Sequence, residues 1–245
     1  MNTTTILALL IPFAGTTLGS GLVFFIKNGI PDKLQKAMLG FASGVMVAAS
    51  VWSLLIPSID MCADRGRFAI IPAITGLLAG FAFLLLIDRI TPHIHASGQK
   101  EGPRSKLSKT AMLALAVTIH NLPEGMAAGI SDTITLSIGI AIQNIPEGAI
   151  ISMPMLAAGN SKAKSFMLGA MSGIVEPIGG ALVLALASSV TAMVPYLLAF
   201  AAGAMLYVVV EELIPETAEG EHSNLGTIGF AIGFALMMLL DTVMG

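Results

Sequence analysis

Charge is what this sequence has least of. Only 11% of its 245 residues are Asp, Glu, Lys or Arg, whereas 55% are hydrophobic. A water-soluble domain carries about 25% charged residues. Too little polar surface is left to cover a soluble particle, and a mean hydropathy of +0.87 points the same way. Lipid is the expected solvent. A net charge of −3 gives the chain no basic excess, which excludes nucleic acid as a partner. Cysteine is nearly missing too, Cys62 being the one in the chain. One copy can therefore build neither a disulfide framework nor a thiolate metal cluster. The first residues, Met1-Asn2-Thr3-Thr4-Thr5, lack the basic start and small-residue cleavage site of a removable leader. The apolar run that follows them is expected to remain as a span. No phosphate-cradling Gly-Lys-Ser/Thr loop occurs, so the chain is not expected to drive a pump with ATP.

What the sequence has in abundance is long apolar runs. A helix needs about 20 such residues to cross the hydrocarbon of a bilayer. Eight runs qualify, near 5–26, 36–57, 68–88, 110–130, 134–158, 164–188, 191–214 and 225–243. Strands of a membrane barrel would alternate apolar and polar residues in segments of about 10. These runs do not alternate. The expected fold is an all-α integral membrane domain of eight transmembrane helices over residues 1–245.

Lys and Arg set the expected orientation. Lys27, Lys33, Lys36, Arg89, Lys100, Arg104, Lys106, Lys109, Lys162 and Lys164 fall in odd-numbered loops, and only Arg65 and Arg67 fall in an even one. Basic loops stay in the cytoplasm, which puts both termini outside. The third loop, 89–109, is polar, contains Gly98, Gly102 and Pro103, and reads as a flexible cytoplasmic linker. Its His93 and His95 are either solvated imidazoles or a weak metal-capturing pair, since neutral imidazole binds transition metals.

Spans two and seven resemble each other. Phe41-Ala42-Ser43-Gly44-Val45-Met46 leads to Leu55-Ile56-Pro57, and Phe200-Ala201-Ala202-Gly203-Ala204-Met205 leads to Leu213-Ile214-Pro215. The two spans run in opposite directions by the topology above. Similar units of opposite orientation are the mark of inverted-repeat transporters, whose sites lie near the midplane. The expected repeat comprises spans one to three and six to eight around a hairpin of spans four and five. Chance similarity between Ala/Gly-rich helices is the alternative.

The chemistry sits in that hairpin. Span four carries His120-Asn121-Leu122-Pro123-Glu124-Gly125 and span five carries Gln143-Asn144-Ile145-Pro146-Glu147-Gly148. A spacing of four puts His120 and Glu124 on one helical face, and Gln143 and Glu147 on another. Only a short turn near Asp132 and Thr133 separates the spans, so they run antiparallel. His120 should then lie level with Glu147, and Glu124 with Gln143. At 1.5 Å per residue these levels lie about 20 and 14 Å from the turn, bracketing the midplane. Pro123 and Pro146 cannot donate to the carbonyls of Ile119 and Ile142, which become available to line a cavity. Two buried carboxylates repel, and burial disfavours the charge on each. Neither span supplies Lys or Arg. A divalent cation between them resolves this; protonation of one Glu is the competing solution, and acids that merely pack helices are the bland one.

Span six adds Glu176-Pro177, a further ligand, a proton carrier or a kink. Glu211, Glu212 and Glu216 end span seven, in a hydrated vestibule or in plain interfacial solvation. Met46 and Met205 read as packing residues.

Together these residues resemble the ZIP family of divalent-metal transporters, over essentially the whole chain. The resemblance rests on His120-Asn121-x-Pro123-Glu124-Gly125 with Asn144-x-Pro146-Glu147-Gly148, joined by Glu176-Pro177 and Glu211-Glu212-x-x-Pro215. It implies a two-metal site. His120, Glu124, Gln143 and Glu147 would hold one ion, while Asn121, Asn144 and Glu176 help hold a second and Glu124 and Glu147 bridge. It further implies alternating access by an elevator-like or rocking movement, a homodimer, and residence in the plasma membrane. Gln143 stands where many members have His, as in the family's prokaryotic branch. An amide oxygen is harder than imidazole, so beside Zn²⁺ as transported ion it leaves Cd²⁺, Fe²⁺ and Mn²⁺ open. No organic cofactor is implied. Two other classes remain for comparison. An intramembrane metal-dependent hydrolase would need a His-Glu-x-x-His motif, which is absent. A proton-coupled organic-solute carrier would use the Glu residues as relays without a metal.

Overall fold

A computed structural model describes residues 3–25, 30–90, 93–94, 100–101, 109–131, 134–189, 191–218 and 220–244. Side chains are described for these except at 93–94, 100–101, 109–114, 116–117, 120, 131, 187–189, 191 and 244. A chain in hydrocarbon must satisfy every backbone N–H and C=O internally, and uniform apolar runs do so as helices. Seven helical stretches among the described residues are long and apolar enough to cross a membrane: Thr3–Phe24, Asp32–Asp60, Ile70–Ile90, Ile134–Ala157, Lys162–Leu186, Val194–Ala218 and Leu225–Val243. The remaining run, 110–130, forms the 23-residue helix Lys109–Ser131. The bounds differ from the sequence expectation by a few residues at each end. The exposed large side chains include Leu18, Phe25, Leu78, Leu182 and Val243. Such an apolar exterior is what a lipid-facing surface requires.

In chain order the helices are α1 (Thr3–Ser20), α2 (Asp32–Ala49), α3 (Ile56–Asp60), α4 (Ile70–Ile90), α5 (Lys109–Ser131) and α6 (Ile134–Ala157), then α7 (Lys162–Ser172), α8 (Val175–Ser189), α9 (Val194–Val208), α10 (Ile214–Ala218) and α11 (Leu225–Met244). In the third loop, His93–Ile94 and Lys100–Glu101 pair as two short antiparallel strands, with His93 opposite Glu101. His95 lies outside the described residues.

Two of the spans contain a π-helical turn. Ser50–Leu55 joins α2 to α3, and Val209–Leu213 joins α9 to α10. Each turn is followed by an Ile-Pro pair, Ile56-Pro57 or Ile214-Pro215. Proline lacks the N–H that would bond four residues back. That freed carbonyl gives the wider turn its place; such π-bulges gather at functional sites.

Glycine decides which helices touch. A β-carbon on Gly40 or Gly44 of α2 would strike the carbonyls of Gly226 and Phe230 on α11. Gly76 and Gly80 of α4 meet Tyr196 and Phe200 on α9 in the same way. Gly15 and Gly19 of α1 meet Ala141 and Ile145 on α6, and Gly125 and Gly129 of α5 meet Glu176 and Gly180 on α8. Small residues let transmembrane backbones approach this closely. In each pair the numbers rise together, so the paired helices are parallel. α2 against α6, α5 against α9 and α5 against α6 join the pairs into one bundle. Met46 and Met205 are fully buried in its core beside Leu39, Leu54, Ile140 and Met237, so both pack as expected.

Candidate metal centre

α5 and α6 run unbroken through Pro123 and Pro146. The break falls instead in the sixth span, between α7 and α8. There Pro177 has no N–H to give Gly173, and the Glu176 N–H turns to the Gly173 carbonyl at 3.0 Å. A regular helix would have sent that N–H to Ser172. The Ser172 carbonyl accepts from the Asn121 Nδ2 of α5 instead, at 3.3 Å. Glu176 is thereby placed in the first turn of α8, where the positive end of the helix dipole favours a carboxylate. Its Oε1 accepts from Thr16 Oγ1 at 2.6 Å and from Asn121 Nδ2 at 3.3 Å.

Asn121, Glu124, Gln143, Asn144 and Glu176 are wholly buried, and Glu147 is 6% exposed. Glu124 lies close enough to Glu147 and Glu176 for charge repulsion, with the amides of Asn144 and Gln143 beside it. His120 sits on α5 one turn before Glu124; its side chain lies outside the described residues.

The site holds more unpaired oxygens than unpaired donors, the latter being the amide nitrogens of Gln143 and Asn144 among the described residues. Both oxygens of Glu124, Oδ1 of Asn121, Oε2 of Glu176 and the amide oxygens of Gln143 and Asn144 are buried without a hydrogen-bond partner among the described residues. A buried polar group left unpaired costs about 1–3 kcal/mol, and a charged one more. Among the described residues, His, Cys, Asp and Glu alone do not gather three-strong around one point. Chemically the site can offer a cation several oxygens and no thiolate.

Sequence reading brought together Asn121, Glu124, Gln143, Asn144, Glu147 and Glu176, and the fold does gather them. It missed Thr16, the α1 residue that touches Glu176. A lone threonine in an apolar run carries no signal of its own. It also passed over Asp88, buried within α4, and over the 2.6 Å bond from Ser53 to Asp241 that ties α11 to the first π turn. Of the acids at the end of span seven, Glu212 is buried and Glu211 exposed.

Apolar helices stacked across a bilayer, with uncompensated oxygen donors sealed at their centre, define a multi-pass membrane protein suited to holding a cation. Residues 104–241 match the family described as ZIP zinc transporter. The zinc transporter ZIPB of Bordetella bronchiseptica is 36% identical, with 95% of this chain and 79% of that protein aligned. The zinc transporter GufA of Myxococcus xanthus is 35% identical over 95% of this chain and 96% of its own. The zinc transporter ZIP11 of Xenopus tropicalis is 32% identical over 98% and 97%. The chain belongs to the ZIP zinc transporter family and is of the type found in prokaryotes. It is a transporter, not an enzyme.

Proposed function

We propose that this protein carries divalent transition metal ions, zinc foremost, across the membrane into the cytoplasm. Glu124 carries the reading: it is fully buried, beside two other carboxylates and the amides of Asn144 and Gln143, with no hydrogen bond to either oxygen at normal distance among the described residues. No Lys or Arg occurs between residues 110 and 157 to neutralise it. Keeping a lone charge in such a place costs several kcal/mol, and a well-coordinated cation offsets that penalty.

In this reading two ions bind side by side. His120, Glu124, Gln143 and Glu147 hold the first. Asn121, Asn144 and Glu176 hold the second, with Glu124 and Glu147 shared. Mixed imidazole, carboxylate and amide ligands without cysteine suit a site that must release its cargo. Cd²⁺, Fe²⁺ and Mn²⁺ are admitted beside Zn²⁺ because oxygen donors dominate.

Eight spans in two inverted halves complete the reading. Support comes from the glycine seams, where α2 packs on α11 as α9 packs on α4. Gly44 against Phe230 answers to Gly203 against Leu77, and Gly233 against Phe41 to Gly80 against Phe200. A π turn follows in each half. Binding near the midplane between such halves is the general arrangement for alternating access. The basic odd-numbered loops support outside termini. A homodimer in the plasma membrane belongs to the same reading and rests on the family resemblance.

Uptake by proteoliposomes across a panel of divalent metals, with and without a pH gradient, tests it. Metal-dependent flux saturating with Zn²⁺ is the expected result. Vesicles that admit no divalent metal would refute it.

A further inference from the structure

The two-fold likeness extends into the site itself. Gly125 on α5 faces the Glu176 carbonyl, and Gly148 on α6 faces the Thr16 carbonyl. One turn along, Gly179 faces the Leu122 carbonyl as Gly19 faces that of Ile145. Leu122 to Gly125 and Ile145 to Gly148 are the matching Leu/Ile-Pro-Glu-Gly tetrads of the two site helices. α1 therefore sits on α6 in the register that α8 keeps on α5, and Thr16 takes the place on α1 that Glu176 takes on α8. Asn121 and Asn144, and Glu124 and Glu147, pair by the same relation. Only at Thr16 is a carboxylate answered by a hydroxyl.

That hydroxyl is spoken for. A buried threonine in a helix commonly bonds back to the carbonyl one turn earlier. Ser20 does so, donating to Thr16 O at 2.8 Å. Thr16 instead donates across to Glu176 Oε1, which also accepts from Asn121. Oε2 is left without a partner among the described residues. Thr16 itself is fully buried, with its β-carbon against Gly173 at the break in the sixth span.

We propose that Thr16 is a specificity-determining positioning residue: its hydroxyl occupies one oxygen of Glu176 so that the carboxylate offers the transported ion only the other. This rests on the two-ion reading above and deepens it. Single-oxygen carboxylate ligation suits small ions of low coordination number, such as Zn²⁺ with four ligands. Larger ions accept more oxygens, often two from one carboxylate. Removing the donor leaves Oε1 with the longer bond from Asn121 alone, and the lone pair so released opens the site to the larger ion. Partners that orient a ligand in this way are worth about 10–100-fold in metal affinity.

Initial Zn²⁺ and Cd²⁺ uptake is measured in proteoliposomes containing wild type, Thr16→Val and Thr16→Ser, normalised to reconstituted protein. Thr16→Val is expected to raise the Cd²⁺-to-Zn²⁺ ratio by about tenfold, the lower end of that range. Thr16→Ser keeps the donor and should keep the wild-type ratio. Should Thr16→Val fail to fold, Thr16→Ala against Thr16→Ser isolates the same oxygen. A fall in both ions with the ratio unchanged would mean that Thr16 only packs, and the proposal is then wrong while metal transport stands. Wild-type vesicles admitting neither ion would remove both readings at once.

Discussion

The side-chain amide of Asn121 on α5 donates to the backbone carbonyl of Ser172, the last residue of α7, at 3.3 Å. A carbonyl set free by the break in one span is capped by a side chain from another. The same nitrogen reaches Glu176 Oε1, so a single amide fastens both the break and the carboxylate placed by it.

Replacing Asn121 with Leu should therefore strand the Ser172 carbonyl and loosen Glu176 together. The expected cost is about 1–3 kcal/mol of stability, the penalty for a buried acceptor left unpaired. Thermal unfolding in detergent checks it, with Zn²⁺ uptake expected to fall in parallel. An unchanged melting temperature would mean that water or another donor takes the place of the amide.

Glu124→Ala and Glu147→Ala should each abolish metal uptake while leaving the protein folded in the membrane. At Glu124, whose oxygens have no partner among the described residues, removing the buried charge relieves a cost rather than adding one. A melting temperature at or above wild type in metal-free buffer is expected for Glu124→Ala, and loss of flux for both. Full uptake in both variants would defeat the assignment.

His120→Ala should weaken zinc more than manganese, because imidazole favours zinc and the remaining donors are oxygens. Isothermal titration with the two ions reads the difference. Equal losses would count against imidazole ligation.

Gly125→Ala tests the seam between α5 and α8. Its β-carbon would meet the Glu176 carbonyl and α-carbon, so the helices must part. Overpacking of this kind costs about 1–3 kcal/mol. Gly21→Ala, with nothing within 4 Å of the new carbon, is the matched control. Reconstitution yield and melting temperature should fall for the first and hold for the second.

Much of this was legible in the sequence because lipid enforces simple rules. Runs of about 20 apolar residues had to be helices, and acids within them had to matter. Glu124, Gln143 and Glu147 were found by that logic and Glu176 as one reading among several, while Asn121 and Asn144 entered only through the resemblance to the ZIP family. Of the three prolines only Pro177 breaks its span, for a local reason. Pro123 and Pro146 looked as disruptive as Pro177, yet only the last sits where Gly173 lets the chain re-form as a tighter turn. Thr16 could not be found at all. Its role depends on which helix packs beside α8 and in what register, and a hydroxyl among apolar residues announces neither. The π turns were equally hidden, although the Ile-Pro pairs that follow them were in plain view.

Those turns carry a consequence for the acids of span seven. Each residue of a helix advances the facing direction by about 100°. A turn that holds one residue more than its neighbours thus reorients everything beyond it. Glu211 and Glu212 stand inside such a turn, the first facing outward and the second buried. Pro57 follows Gly44 by thirteen positions, but Pro215 follows Gly203 by twelve. Shortening either segment by one residue would swap which side chains look into the protein, with no change in their chemistry.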